Sequence, residues 1–477
     1  MTPDTATKDS LFALLQPHGQ EHLLHFWDQL DPAARRGLAA QLLDVDWAGM
    51  DEWIRDYVLR TPETALPPGL EPAPHYPLAP RTPAESALYD GARRRGETLL
   101  REGRVAGFTV AGGQGTRLGY DGPKGTFPVS PVRHKTLFQL FAEHLVRAQE
   151  KYGAAIPWFI MTSPGNDAAT RAFFAEHACF GLKPDDVFFF IQGTLPAIGL
   201  DGKVLLQAPD SLALSPNGHG GSLLALRQSG ALDRLRKRHI EHISYWQVDN
   251  PLVQMFDPLF LGLHDLTDSD MSSRGLVKTG PLEKLGNYCL AGGKVTIIEY
   301  SDMPEALAGA KGPDGRLRFR VGSPAIHLLR RDFIERLTEG GRLRLPLHRA
   351  VKKVPCVDEA GQPAKIHHPN AVKLEMFIFD ALPLANRPLI LEADRAEQFA
   401  PVKNPTGVDS VESSQRLQQE RNARWLEAAG VAVPRQAGGV LDCTLELSPR
   451  RFLDREDVAA AAPTLTPPAA GAAAYYE

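Results

Sequence analysis

Over residues 8–60, apolar residues recur at three- and four-residue spacing in LFALLQ, HLLHFWDQL, RGLAAQLLDV and WAGMDEWIRDYVL. That is the period of one buried helix face, and it predicts a helical segment. Asp31-Pro32 marks a helix start within it. A proline-rich passage from Pro67 to Pro83 then gives way to a further helix over 84–102, which stops at Gly103. From residue 104 the pattern changes. Val105–Ala111, Pro157–Thr162 (PWFIMT), Val187–Gln192 (VFFFIQ) and Ser244–Val248 (SYWQV) are short apolar runs, while Thr136–Lys151 and Asp167–His177 keep a helical period. Buried strands alternating with helices predict an α/β domain whose sheet is mostly parallel and covered on both faces. Residues 294–300 (KVTIIEY) and 372–380 (VKLEMFIFD) add two strands. Beyond about residue 430 the composition shifts to VAVPRQAGGVLDCTLELSPRRF, a small β-rich appendage. The final AAAAPTLTPPAAGAAAYYE reads as disordered low complexity. The expected division is a helical segment at 1–102, a central α/β domain at 103–428, a β-rich region at 429–463 and a low-complexity tail at 464–477.

The 477 residues are 43% hydrophobic and 23% charged, with a net charge of −4, so no general basic field exists to hold nucleic acid. Four scattered cysteines, Cys179, Cys289, Cys356 and Cys443, show neither a CxxC pair nor zinc-ligand spacing. The N-terminal MTPDTATKDSLFALLQ has acids where a signal peptide would be basic. No apolar run approaches the roughly 18 residues that a membrane helix needs. The expected setting is cytoplasmic, with no membrane and no nucleic-acid partner, and nothing in the pattern sets an oligomeric state.

The strongest local feature is VAGGQGTRLGYDGPKG, Val110 to Gly125, where a strand runs directly into glycines. Backbone amides at Ala111, Gly112 and Gly113, free of obstructing side chains, can form an anion-binding concavity. Arg117 and Lys124 place two cations in the same loop, as a triphosphate requires. The loop matches neither GxxxxGK[ST] nor GxGxxG.

AGGQGTRLG followed by PKG is similar to the nucleotide-binding loop of the UDP-sugar pyrophosphorylases, and most resembles their UDP-N-acetylhexosamine branch. HGQEHLLHFWDQL at 18–30, FFIQGTLPAI, WQVDNPLV, IIEYSDM and FAPVKN follow in family order, so the resemblance spans nearly the whole chain. It implies a Rossmann-like, GT-A-like nucleotidyltransferase domain. It also implies reaction of UTP with a hexose 1-phosphate, giving UDP-sugar and pyrophosphate with Mg²⁺ as cofactor. The sugar phosphate would attack the α-phosphorus in line. Being already ionised, it needs no protein base, and catalysis becomes positioning plus charge stabilisation.

Carried over residue by residue, the resemblance gives Arg117 and Lys124 the triphosphate. Gln192, whose amide offers one donor and one acceptor, would read uracil beside the backbone of Gly218. Asp249, a hard oxygen ligand, would take the metal and the UTP phosphates. Lys403 would offset charge during transfer, and Lys373 would lie near phosphate. His219, Glu299, Tyr300, Ser323 and Phe377 would surround the sugar. Two positions depart from the acetylhexosamine branch, which has Asn at both His219 and Ser323, while UDP-glucose enzymes carry Gly-His-Gly at the first. N-acetylglucosamine 1-phosphate and glucose 1-phosphate both remain open as acceptors, and a UDP-glucose-specific enzyme is the alternative. From another class, a non-catalytic UDP-sugar sensor would not need Arg117, Lys124, Asp249 and Lys403 together.

Overall fold

The computed structural model describes residues 1–60 and 66–477, leaving residues 61–65 of the expected helical segment outside the description. The chain divides into two compact units. One combines the first 60 residues with Gly193–Gly221 and Leu345–Ile378; the other comprises Leu66–Gln192, Ser222–Arg344 and Phe379–Glu477.

The larger unit is built on a mixed sheet. Strands β1 (Val105–Val110), β2 (Trp158–Thr162), β3 (Val187–Ile191) and β4 (His242–Gln247) run parallel in the order β4-β1-β2-β3. Every residue of β1 and β2 is buried, because helices cover both faces and no polar alternation is needed. Buried Thr109 accepts the indole N–H of Trp158 at 2.8 Å, which satisfies a polar pair inside this core. Helices α1 (Pro83–Arg101), α2 (Leu137–Tyr152) and α3 (Asp167–Glu176) lie within two residues of their expected bounds. A capping box between Thr82 and Glu85, with Pro83 in the first turn, starts α1. A fourth helix, α4 (Pro258–Leu266), meets α1 backbone to backbone. A Cβ on Gly96 would stand 1.9 Å from the Pro258 carbonyl, and one on Gly262 1.7 Å from that of Ala92.

The expectation of a mostly parallel sheet fails beyond β4. Strands β5 (Met271–Val277), β6 (Gly286–Ala291), β7 (Lys294–Ile298), β8 (Val321–Ser323) and β9 (His327–Arg330) extend the sheet through antiparallel pairings, and β10 (Leu389–Ala393) joins β5 in parallel. Short connections enforce this. Gly292 and Gly293, both at positive φ, close the β6–β7 hairpin as a two-residue turn that no crossover could replace.

Two further expectations are corrected. The tail is not disordered: Ala473–Tyr476 pairs in parallel with Thr444–Leu447. The phenol of Tyr475 accepts a 2.8 Å bond from the buried Lys135 ammonium, which also bonds Glu143. Nor is 1–102 a separate segment, since α1 belongs to the larger unit. The preceding helices, Lys8–Leu15, Pro32–Asp44 and Trp47–Trp53, join the smaller one. There Gln20 binds the 202–204 turn with both amide arms, donating to Gly202 O at 3.0 Å and accepting from Val204 N at 2.9 Å. A three-stranded antiparallel sheet, Leu347–Lys352, Ala371–Met376 and Ile198–Gly199, completes the smaller unit. The expected strand at 372–380 ends at Met376, followed by a 3-10 turn over Ile378–Leu384.

Candidate active site

Ligands of open α/β sheets sit at the carboxyl ends of parallel strands, and the carboxyl ends of β1, β3 and β4 carry the expected groups. After β1, Ala111 makes one more ladder bond, to Met161 O at 2.8 Å, before the chain leaves as the glycine loop. Asn166 fastens this loop. Its amide donates to the carbonyls of Ala111 (2.9 Å) and Gly113 (3.2 Å), while its oxygen accepts the Ser163 N–H at 2.8 Å. The loop then doubles back through Gly115 N to Gly122 O (2.9 Å) and Lys124 N to Gly113 O (3.1 Å). A Cβ on Gly112 would stand 2.9 Å from Oε1 of Gln192, at the end of β3. Gln192 and the loop backbone are thus neighbours, as expected.

At the end of β4, Asp249 meets Lys124. The ammonium stands 3.6 Å from Oδ2, and each side chain is only 17% exposed. Burial pushes the Lys124 pKa below the ordinary lysine range; Lys403 and Arg117 act the same way and Asp249 opposes them. Those influences gather three of the four expected cations, Lys124, Lys403 and Arg117, with the carboxylate in one electrostatic cluster. The segment leading to Lys403 is joined to Asp249 directly, Val402 N donating to Asp249 O at 2.9 Å. Asp409 is a further member, held at φ +57 with its carbonyl accepting from Lys403 N at 2.6 Å. Burial raises the Asp409 pKa, against Lys403 and with Asp249.

Among the described residues no group of three or more His, Cys, Asp or Glu could cage a metal. Asp249, with Asp409 near it, offers hard oxygen donors, and Mg²⁺ needs only one or two carboxylates beside water and phosphate ligands.

The expected sugar residues of the larger unit form a second cluster. Ser323 in β8 pairs with Gly286 in β6, and a Cβ on Gly286 would stand 3.0 Å from Oε1 of Glu299. Tyr288 has one hydroxyl proton, between the Arg274 carbonyl at 2.9 Å and Ser323 Oγ at 3.1 Å. Directed to the carbonyl, which can only accept, that proton leaves Ser323 as donor to Tyr288. Ser323 also accepts the Ala325 N–H at 3.3 Å. Strand β7 stops at Ile298, so Glu299 and Tyr300 stand beyond it, Tyr300 being 44% exposed.

The remaining expected residues lie in the smaller unit. Gly218 has φ +80, and a Cβ on it would stand 2.3 Å from Met376 O. The His219 ring stacks on Phe377 at 5.1 Å, and His348 stacks on the same ring at 4.3 Å. Nδ1 of His219 accepts the Ile378 N–H at 3.2 Å. Burial, assisted by His348, brings the His219 pKa down to about 4, so the ring is neutral with its proton on Nε2. Lys373 lies in Ala371–Met376, opposite Ala350.

Asn166 and Asp409 carry no mark in the sequence pattern, since a polar residue in a loop has no periodicity to betray its contacts.

A glycine loop after β1, an amide at the end of β3 and a lysine–aspartate pair at the end of β4 are groups that a nucleotidyltransferase would bring to a nucleoside triphosphate. A family model described as UTP–glucose-1-phosphate uridylyltransferase matches residues 85–423, and the chain belongs to that family. Human UDP-N-acetylhexosamine pyrophosphorylase-like protein 1 is 36% identical over 442 residues, covering 89% of this chain and 86% of that protein. The UDP-N-acetylglucosamine pyrophosphorylase of Saccharomyces cerevisiae is 34% identical, covering 87% of this chain and 90% of its own. Among solved structures, the uridine diphosphate N-acetylglucosamine pyrophosphorylase of Trypanosoma brucei matches with a TM-score of 0.82. It is 25% identical, with 100% of this chain and 98% of that chain covered.

Proposed function

We propose that the chain transfers the uridylyl group of UTP to N-acetylglucosamine 1-phosphate in the cytoplasm, through a GT-A-like domain. A phosphate oxygen of the sugar forms the new bond to the α-phosphorus, the bond to the bridging β-phosphate oxygen breaks, and pyrophosphate leaves. The observation that carries the reading is the clustering of Lys124, Asp249, Arg117 and Lys403 beside the Gly112–Gln192 contact. Loop amides from Ala111 to Gly113 and the cations Arg117 and Lys124 bind the triphosphate, which orients the α-phosphorus. Gln192 reads the uracil edge. Lys403 offsets charge that builds up as the bond to pyrophosphate breaks. Asp249 would hold Mg²⁺, which would supply further charge neutralisation. Glu299, Tyr300 and Ser323 take the sugar. For Gly218, His219, Phe377 and Lys373 the roles are those the resemblance implies: uracil for the first, sugar for the next two, phosphate for the last.

The names of the relatives favour the N-acetylated acceptor over glucose 1-phosphate. The ionic cluster favours an enzyme over a sensor, because binding alone does not call for cations gathered at the reacting phosphate. Pyrophosphate release from UTP and Mg²⁺, measured with each sugar 1-phosphate, tests both points.

A further inference from the structure

We infer that Asn250 is a positioning residue that fixes Lys403 against Asp249; this rests on the reading above, in which Lys403 acts during transfer. Asn250 follows Asp249 directly and is 4% exposed. Its amide nitrogen donates to the Gln398 carbonyl at 2.7 Å, and its amide oxygen accepts the N–H groups of Ala400 at 3.0 Å and Leu252 at 3.3 Å. With the bond from Val402 N to Asp249 O at 2.9 Å, the dipeptide Asp249-Asn250 grips residues 398, 400 and 402 in succession. Lys403 is the next residue.

The grip lies on the approach to Lys403, beside a 2.8 Å bond from Gln398 Nε2 to Gln254 Oε1 and the burial of Phe399 and Val402. The Ser414 hydroxyl bonds the Ala400 carbonyl at 2.6 Å. Past Lys403 the chain closes on itself, with Asn404 N bonding Asp409 O at 3.0 Å and Asn404 Nδ2 bonding Val408 O at 2.7 Å. An amide side chain offers a donor and an acceptor on one plane, so it can hold the 398 carbonyl and the 400 N–H at once. Gln398, Ala400 and Val402 are all buried, so these backbone groups have no ready exchange for water. Asp249 and Lys403 are thereby coupled as one rigid piece, although about 150 residues of sequence separate them. A displacement on the order of 1 Å at a charge-stabilising group can cost about a hundredfold in rate.

Because Asn250 is buried and bonded through both amide atoms, its loss also weakens the fold, so a single variant cannot settle its role. The test is a cycle of Asn250→Ala, Lys403→Ala and the double variant, reading kcat for pyrophosphate release together with thermal unfolding. The inference predicts that Asn250→Ala lowers kcat by roughly ten- to a hundredfold in the parent and produces no further loss once Lys403 is alanine. Equal losses in both backgrounds would overturn it while leaving the role of Lys403 standing. Parental kcat in Lys403→Ala would instead overturn that role and the inference with it. Should Asn250→Ala fail to fold, the same cycle is run with Asn250→Ser, which adds no charge beside Asp249 and keeps a hydroxyl in the site, and the same dependence of the loss on Lys403 is expected.

Discussion

The Lys124 ammonium stands 3.6 Å from the Asp249 carboxylate, each group largely out of water. At that distance, and at the effective dielectric of a partly buried site, the attraction is about 5 kcal/mol before desolvation is counted. Each charge therefore makes the other's burial tolerable, and a triphosphate with its metal can replace the pairing without leaving either charge bare. The glycine loop supplies one partner and the end of β4 the other, so the pair also joins two adjacent strand ends.

Lys124→Met removes one cation from the triphosphate and the ion pair with Asp249, which keeps Lys403 in its cluster. Loss of the cation opposes binding and transfer. The variant should lose about a hundred- to a thousandfold in kcat with little change in melting temperature. Pyrophosphate release and thermal unfolding on the same preparation check this, and parental turnover would exclude Lys124 from the reaction.

Gly112→Ala would bring a methyl to 2.9 Å from Gln192 Oε1. The flexible amide can move away, so the fold should survive while base reading suffers. The ratio of kcat/KM for UTP over CTP is expected to fall by about tenfold or more. An unchanged ratio would mean that Gln192 does not read the base.

Tyr475→Phe removes the phenol oxygen that accepts from the Lys135 ammonium at 2.8 Å. A buried cation then loses one of its bonds, at a cost of about 1–3 kcal/mol. A lowered melting temperature is expected, and deletion of residues 472–477 should lower it further by also removing the pairing with Thr444–Leu447.

His144 in α2 titrates only at about pH 3, mainly through burial and secondarily through Arg421. An unfolded histidine takes its proton near pH 6.5, so between 6.5 and 3 the unfolded chain binds more protons. Stability must therefore fall as pH drops through that window. Replacing the imidazole in His144→Gln should flatten the decline by up to about 1.4 kcal/mol per pH unit. Urea midpoints between pH 7 and pH 4 measure the slope, and identical slopes would remove His144 from the account.

What the sequence revealed follows from how each element is buried. Strands β1, β2 and β4 and helices α1 to α3 were legible because burial on both strand faces, or on one helix face, leaves a continuous or periodic apolar signature. Strand β5, MSSRGLV, was not. Its Ser272, Ser273 and Arg274 are buried polar residues satisfied by partners such as His264, His327 and Asp257, which the apolar pattern cannot register. Ala473–Tyr476 was masked by its alanine-rich surroundings, where two tyrosines provide the anchoring. In the site, the cations and Asp249 were legible through motif resemblance, whereas Asn166 acts through carbonyls far along the chain. The smaller unit gathers three distant stretches, and nothing local marks those joins.

The central claim is uridylyl transfer to an N-acetylated hexose 1-phosphate. Its most direct test is pyrophosphate release from UTP and Mg²⁺, with N-acetylglucosamine 1-phosphate and glucose 1-phosphate assayed side by side. Release with both a UTP and a sugar requirement, and a higher kcat/KM for the N-acetylated sugar, is the predicted result. A higher kcat/KM for glucose 1-phosphate would contradict the acceptor assignment, and no release with either sugar would contradict the claim itself.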